Sequence, residues 1–173
     1  MTQVTDVTTL LDSIASQLRQ NLQQRGISDP DLSDVGMIGI HSGGAWVARE
    51  LHAKLRLKQP LGTLNISFYR DDFTRIGMHP QVQPSELPFD IEDRHIILVD
   101  DVLQTGRTIR AALNEIFDYG RPASVTLAVL VKRSGSELPI CADVCGTQLD
   151  LADNQHIKLT GPDPLELKVH TDS

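Results

Sequence analysis

Aromatic residues are scarce in this sequence, where they make up 4% of 173 residues and include a single tryptophan. Aliphatic side chains must therefore fill most of the interior. No window approaches the roughly 18 consecutive apolar residues of a membrane-spanning helix. The N-terminal stretch "MTQVTDVTTL" has neither the basic region nor the apolar core of a signal peptide. We expect a cytoplasmic protein with no membrane partner.

Cysteine and positive charge are scarce as well. The only cysteines are Cys141 and Cys145, and a bond between them would close only a small loop. No further zinc ligands lie nearby, so we expect reduced cytosolic thiols. Sixteen lysines and arginines stand against 23 aspartates and glutamates, which gives a net charge of −7. This excess opposes non-specific attraction to nucleic acids or anionic membranes.

What the sequence does contain is an alternation of strand and helix patterns. Apolar residues recur every three or four positions from Val7 to Leu22, which predicts a helix that ends near Gly26. Strands are predicted at "DVGMIGI", "LGTLNISFYRDD" (ending near Tyr69), "HIILVDD" and "SVTLAVLV", with helices after "HSGG" and "TGRT". The residues predicted to face the core from the helix after "TGRT" are Ile109, Leu113, Ile116 and Phe117.

This order of elements predicts an α/β fold, in which a mainly parallel central sheet is flanked by helices. The chain has no domain linker, so residues 1–173 are predicted to form a single domain. Residues 71–94 lack a sustained apolar period and contain three prolines. A connection of this length inside a compact domain is usually functional or mobile.

The stretch "HIILVDDVLQTGRTIRAAL" combines two adjacent carboxylates with a hydroxyl-rich helix start. The free amides of such a helix start, with the hydroxyls of Thr105 and Thr108, suit a phosphate monoester, and Arg107 points either to the phosphate or to solvent. Asp100 and Asp101 would instead accept hydrogen bonds from vicinal hydroxyls, through which Mg²⁺ could join. A phosphate near a diol describes a ribose 5-phosphate. The competing interpretation is a capped turn and a helix start without a ligand.

The segment "IILVDDVLQTGRT" resembles the phosphoribosyl-pyrophosphate (PRPP) motif of the type I phosphoribosyltransferases. With "GIHSGG", "SFYRDDF", "YGRPASVTLAVLV" and "ELPI", it is most similar to the PyrR family of pyrimidine operon regulators and uracil phosphoribosyltransferases. The resemblance implies the type I phosphoribosyltransferase fold with a flexible hood at residues 71–94. It also implies Mg²⁺-dependent conversion of uracil and PRPP to UMP and pyrophosphate, a homodimer or homotetramer, and regulation that could involve pyr mRNA.

The resemblance assigns roles to individual residues. Asp100 and Asp101 would hold the ribose hydroxyls, and Lys132 would face the base. Arg70 and Arg75 would meet the diphosphate from the hood, with ion pairs to nearby carboxylates as the alternative. No side chain would bind the metal directly, since Mg²⁺ would arrive with PRPP. The remaining PRPP-binding residues would be Val102, Leu103, Gln104, Thr105, Gly106, Arg107 and Thr108, with a pyrophosphate loop of His41, Ser42, Gly43 and Gly44.

Two departures from the family pattern bear on RNA. RNA-binding members read like T-R-I-A-H in the first helix, where this chain has "DSIAS", and arginines around E-L-P-I-R are replaced by Ser136 and Cys141. Residues 132–173, the base-side strands and C-terminus, hold four basic against seven acidic residues, which opposes RNA affinity. A dimer could still assemble a basic patch from Arg19, Arg25, Lys54, Arg56 and Lys58.

Two further departures bear on the base. Lys132 stands where PyrR-like chains have an acidic residue and several purine enzymes have lysine, so it either touches the base or is a strand-end charge. Gln104 replaces a common tyrosine. A purine-base enzyme and a nucleotide sensor with little turnover are therefore alternatives to the uracil enzyme, and a role for His79 stays open.

Overall fold

A computed structural model of the protein describes residues 6–27, 33–66 and 85–173. The elements in chain order are helix α1 (Val7–Gln24), strand β1 (Val35–Ile40), helix α2 (Gly43–Leu55), strands β2 (Gly62–Leu64) and β3 (His95–Leu103), helix α3 (Arg107–Tyr119), and strands β4 (Ser124–Arg133), β5 (Val144–Leu149), β6 (Gln155–Thr160) and β7 (Glu166–Thr171). Residues 67–69, the predicted end of the second strand, lie outside the described residues.

Five strands form one parallel sheet in the order β2-β1-β3-β4-β5. The central strand β3 pairs with β4 in a register that joins Asp100 to Val129 and Leu103 to Lys132. Central strands covered on both faces need continuous apolar runs, which "HIILV" and "TLAVLV" supply. Strands β6 and β7 form a separate antiparallel hairpin. The predicted α/β fold, a mainly parallel sheet flanked by helices, is confirmed.

A hydrophobic core lies on each face of the sheet. The first core packs beneath α1 and α2 and reaches the β6–β7 hairpin through Leu159. The second core packs beneath α3, where it joins Ile109 and Ile116 to Leu98 of the central strand. The sheet is thus fixed from both sides, which holds the carboxyl ends of β1 and β3 in place.

One predicted core residue lies on the surface. Ile109 and Ile116 are buried and Leu113 packs against the second core, as predicted, but Phe117 is 56% exposed. At about 100° per residue, Phe117 lies roughly 80° around the helix from Ile109, beyond the stripe that faces the sheet. The prediction of a buried Phe117 is wrong.

Both cysteines are free thiols. Cys145 lies in β5 and its Sγ donates a hydrogen bond to the Thr147 carbonyl oxygen at 3.0 Å, whereas Cys141 precedes that strand. Among the described residues, no helix has both the length and the apolar character that crossing a membrane requires.

Candidate active site

The two aspartates lie inside β3, close to its carboxyl end. Asp100 is buried, at 5% exposure, and Asp101 is half-buried. Each carboxylate accepts a hydrogen bond from the next backbone amide: Asp101 N donates to Asp100 Oδ1 and Val102 N donates to Asp101 Oδ1, both at 2.9 Å. The local backbone therefore orients both carboxylates.

The start of α2 rests directly against these aspartates. A Cβ atom on Gly44 would lie 2.7 Å from the Val99 carbonyl oxygen and 2.9 Å from Asp100 Cα, and one on Gly43 would contact the Asp101 carboxylate. Only glycine allows so close an approach. The predicted pyrophosphate loop and the predicted ribose-binding pair are therefore brought together, although more than fifty positions separate them in the sequence.

The loop that leads into α2 continues from β1. The His41 backbone amide donates to the Leu64 carbonyl oxygen at 2.9 Å, which ties the end of β1 to β2. The peptide bond between His41 and Ser42 is cis. Ser42 caps α2 without a side-chain hydrogen bond, so the first amides of the helix stay open to an anion.

His41 has a perturbed environment. Burial lowers the pKa of its imidazole below the ordinary value of 6.5, nearby Glu86 opposes this change, and Arg49 adds to it. The His41 side chain is therefore mainly neutral at pH 7 beside the open start of α2.

The predicted phosphate turn has the geometry of an anion-binding helix start. Gly106 caps α3 with a left-handed φ of 92° and no side-chain cap hydrogen bond. This conformation suits glycine, which has no side chain that could accept from the amides that follow it. The Thr105 hydroxyl accepts a hydrogen bond from the Arg107 backbone amide at 3.2 Å, which tightens the turn.

Arg107 pairs with a neighbouring carboxylate on the surface. Its Nε and Nη2 atoms lie 3.3 and 3.2 Å from Glu137 Oε1. The backbone amides of Glu137 and Leu138 both donate to the Thr105 carbonyl oxygen, at 3.1 and 3.2 Å. The segment "ELPI" thus supports the phosphate turn from outside, and the ion pair of Arg107 with Glu137 adds to these backbone contacts.

A cavity of about 290 Å³ opens beside the acidic pair. Sequence reasoning placed seven of its lining residues, Asp100, Val102, Leu103, Gln104, Thr105, Gly106 and Thr108, in the candidate site. It missed Arg133, His156 and Ile157, and it placed Ile109, the remaining lining residue, in the core. Among the described lining residues Lys132 does not occur. Lys132 is half-buried and pairs with Leu103 in the sheet. The one feature of the sequence that could have indicated Arg133 is that it is a second charged residue, directly after Lys132, at the end of a strand.

Some predicted residues lie outside the described part of the chain, namely Arg70, Arg75 and His79, with most of the predicted hood (residues 71–84). The end of the hood is anchored to the sheet edge, because Thr63 and Glu86 exchange two backbone hydrogen bonds of 2.8 Å. The Ser85 hydroxyl also donates to Glu115 at 2.7 Å. Among the described residues, no group of three or more histidine, cysteine, aspartate or glutamate side chains could hold a metal ion.

The fold and the paired loops define a phosphoribosyltransferase. The family model described as "Phosphoribosyl transferase domain" matches residues 2–160. The crystal structure of a purine phosphoribosyltransferase from Pyrococcus horikoshii superimposes with a TM-score of 0.58 over 81% of this chain and 84% of that one, at 21% identity, which shows the shared fold.

Within this class the chain belongs to the PyrR family. The "Bifunctional protein PyrR" of Nitrosococcus oceani is 63% identical over 161 residues, which cover 92% of this chain and 90% of that protein. The protein of the same name in Pseudomonas syringae pv. tomato is 56% identical over 160 residues, or 92% and 91% of the two chains. The family predicted from the sequence is confirmed.

Proposed function

We propose that this protein transfers the phosphoribosyl group of PRPP to uracil, giving UMP and pyrophosphate, and that it regulates pyrimidine genes in response to nucleotides. The observation that carries the catalytic part is the contact of Gly43 and Gly44 with Asp100 and Asp101. Two anion-binding helix starts then flank one diol-binding pair, which matches the 5-phosphate, the diphosphate and the ribose of PRPP. Membership of the PyrR family supports uracil as the base.

Each part of the site has a separate task. The open amides of α3, with Thr105 and Thr108, would hold the 5-phosphate. Asp100 and Asp101 would accept hydrogen bonds from the ribose hydroxyls, and the start of α2 would hold the diphosphate. N1 of uracil attacks C1 of the ribose while the bond from C1 to the diphosphate oxygen breaks, and the N1 proton is lost to pyrophosphate or solvent. Positioning and charge stabilisation account for most of the acceleration.

The donor set fits a Mg²⁺ ion that arrives with PRPP. Asp100 and Asp101 offer carboxylate oxygens beside the helix start proposed to hold the diphosphate, and Mg²⁺ in such sites keeps water and substrate oxygens as ligands. When bound, the ion would neutralise charge on the leaving diphosphate.

The deciding experiment is UMP formation from uracil and PRPP with Mg²⁺, with hypoxanthine, guanine and orotate run in parallel. We expect turnover with uracil alone. Turnover with hypoxanthine or guanine would instead support the alternative that rests on Lys132. No turnover with any base, together with saturable UMP binding, would leave a nucleotide sensor and refute the enzymatic part.

The regulatory part has a candidate RNA surface. Arg19 of α1 donates through Nη2 to the Lys54 carbonyl oxygen of α2 at 2.5 Å, so two predicted patch residues adjoin. Lys54 Nζ lies 2.7 Å from Asp12 Oδ1, which reduces the charge available to phosphates. We expect weak, salt-sensitive binding of pyr mRNA leader that Asp12→Asn strengthens and Arg19→Gln abolishes. Binding that neither variant changes would exclude this surface.

A further inference from the structure

Arg133 is a buried cation that the proposed mechanism has not yet used. It is the last residue of β4 and is only 8% exposed. Its Nε atom is buried and has no hydrogen-bond partner among the described residues, and the ion pairs found there do not include it. A buried N–H of a charged guanidinium that has no acceptor is costly. This cost indicates that a ligand supplies the acceptor.

The position of Arg133 identifies the part of the ligand that it can reach. Lys132 pairs with Leu103 at the end of β3, so Arg133 stands one residue beyond the β3–β4 ladder, at the level of Gln104, and pairs on its other side with Leu149 of β5. It lines the same cavity as Asp100 and Thr105. The phosphate turn lies at the start of α3, which packs on the second core.

The other neighbours of Arg133 lie on the opposite side of the sheet. Ile157 and His156 of β6 line the cavity with Arg133, and Ile157 packs against the first core. The His156 Nε2 atom is 2.8 Å from Asp172 Oδ2, which ties that side chain to the end of the hairpin. The start of α2, proposed to hold the diphosphate, follows β1 and so lies on the other side of β3 from β4. This leaves the base as the part of the ligand nearest to Arg133.

Building on the proposed function, we infer that Arg133 donates hydrogen bonds to a carbonyl oxygen of the pyrimidine and stabilises negative charge on the base as N1 loses its proton. Arginine has five donors and no acceptor, which suits a carbonyl oxygen. Charge that develops at N1 is shared with both carbonyl oxygens by conjugation. A cation at one of them stabilises the nucleophile until N1 has bonded to C1 and the diphosphate has left.

The test compares Arg133→Gln and Arg133→Lys with the exposed control Arg110→Gln on α3. In Arg133→Gln we expect kcat/KM for uracil to fall roughly a hundred- to a thousandfold, the scale of one lost charge-stabilising donor, while KM for PRPP stays within about threefold of wild type. Arg133→Lys should recover part of the loss. 5-Fluorouracil, whose N1 proton is more acidic, should show a smaller loss than uracil.

A binding experiment separates this inference from the proposed turnover. Calorimetry with UMP and with ribose 5-phosphate should show that Arg133→Gln weakens UMP by about tenfold or more, as expected for a lost charged hydrogen bond, and leaves ribose 5-phosphate unchanged. This result would support the base contact even if the wild type failed to turn over uracil. Equal weakening of both ligands, or equal losses with uracil and 5-fluorouracil, would overturn it.

The variants are expected to fold, because they remove or retain a cation that has no ion-pair partner within residues 6–27, 33–66 and 85–173. Arg133→Met, which keeps most of the volume and removes the charge, should unfold at the same temperature as wild type or higher. A marked decrease in its melting temperature, with unchanged UMP affinity in the folded fraction, would identify Arg133 as purely structural and refute the inference.

Discussion

Alanine at Gly43 and at Gly44 adds the same methyl group at adjacent positions, yet the two variants should fail in different ways. At Gly44 the new atom meets the backbone of Val99 and Asp100 at 2.7 and 2.9 Å, which cannot yield. Overpacking of this kind costs about 1–3 kcal/mol, and the better helix propensity of alanine returns less than about 1 kcal/mol. We expect Gly44→Ala to lower the melting temperature by several degrees, at roughly 2–4 °C per kcal/mol for a chain of this size.

At Gly43 the three atoms nearest to the new atom all belong to the side chain of Asp101, which can rotate. Stability should change little, but the displaced carboxylate no longer meets the ribose. A charged hydrogen bond is worth about 1.5–3 kcal/mol, so PRPP should bind roughly ten- to a hundredfold more weakly. Calorimetric titration with PRPP and scanning calorimetry measure the two effects on the same samples.

A double-mutant cycle tests the cause. If Gly43→Ala acts by moving the Asp101 carboxylate, it should have almost no further effect on PRPP affinity in an Asp101→Ala background. Additive losses of PRPP affinity would show that alanine at position 43 acts on the diphosphate directly. Equal decreases in melting temperature for Gly43→Ala and Gly44→Ala would refute the distinction between a mobile side-chain neighbour and a rigid backbone neighbour.

Four further predictions concern single positions. Asp101→Asn should strongly weaken PRPP binding, measured by titration, with an unchanged melting temperature as control. Gly106→Val should abolish PRPP saturation and lower the melting temperature, because its φ of 92° and the nearby "ELPI" segment leave no room for a branched side chain; normal saturation would contradict the role of the phosphate turn. Glu137→Gln should change stability by less than about 1 kcal/mol, since its ion pair with Arg107 is exposed, and PRPP should bind at least as tightly because Arg107 is released. Folding lowers the pKa of His41, so the unfolded chain binds the proton at a higher pH than the folded protein does. The free energy of unfolding should therefore fall as the pH drops through 6.5 towards the lower folded pKa. Urea titrations at several pH values should show a smaller fall for His41→Gln than for the wild type.

The strand and helix order was predictable because it depends on local periodicity. The continuous apolar runs before the aspartates and in β4 indicate strands buried on both faces, and Gly120 at the end of α3 is a common stop signal. The phosphate turn was predictable for the same reason, since all of its residues are adjacent in sequence. Phe117 was misjudged because its neighbours in sequence do not show where the apolar stripe stops.

The rest of the site depends on contacts between distant segments. Neither composition nor spacing shows that Gly43 rests on Asp101, or that the β6–β7 hairpin brings Ile157 to the cavity. The pairing of Arg107 with Glu137 likewise joins residues thirty positions apart, which the sequence does not show to be neighbours. Arg133 was missed because a strand-end arginine is usually exposed, and only the tertiary structure shows that this one is buried.

The sheet itself explains why Arg133 reaches the site. In regular strands side chains alternate between the two faces, and Leu98 and Val99 obey this rule by packing in the second and first cores. After the aspartates the side chains face the opposite way to strict alternation, a shift of one position. Counting from Val99, alternation would place Val102 in the second core and Leu103 in the first, but Val102 packs against the first core and Leu103 lies in the second.

The same shift occurs at the same level of the neighbouring strand β4. Leu130 and Val131 both belong to the first core, and alternation from Val131 then places Arg133 on that face with Ile157. Because both strands shift together, the ladder continues in register from Asp100 and Val129 to Leu103 and Lys132. Without the shift, alternation from Leu130 would direct Lys132 to the face of the first core and Arg133 to the face of α3. The irregularity at the acidic pair is therefore what orients the one buried arginine among the described residues towards the proposed base.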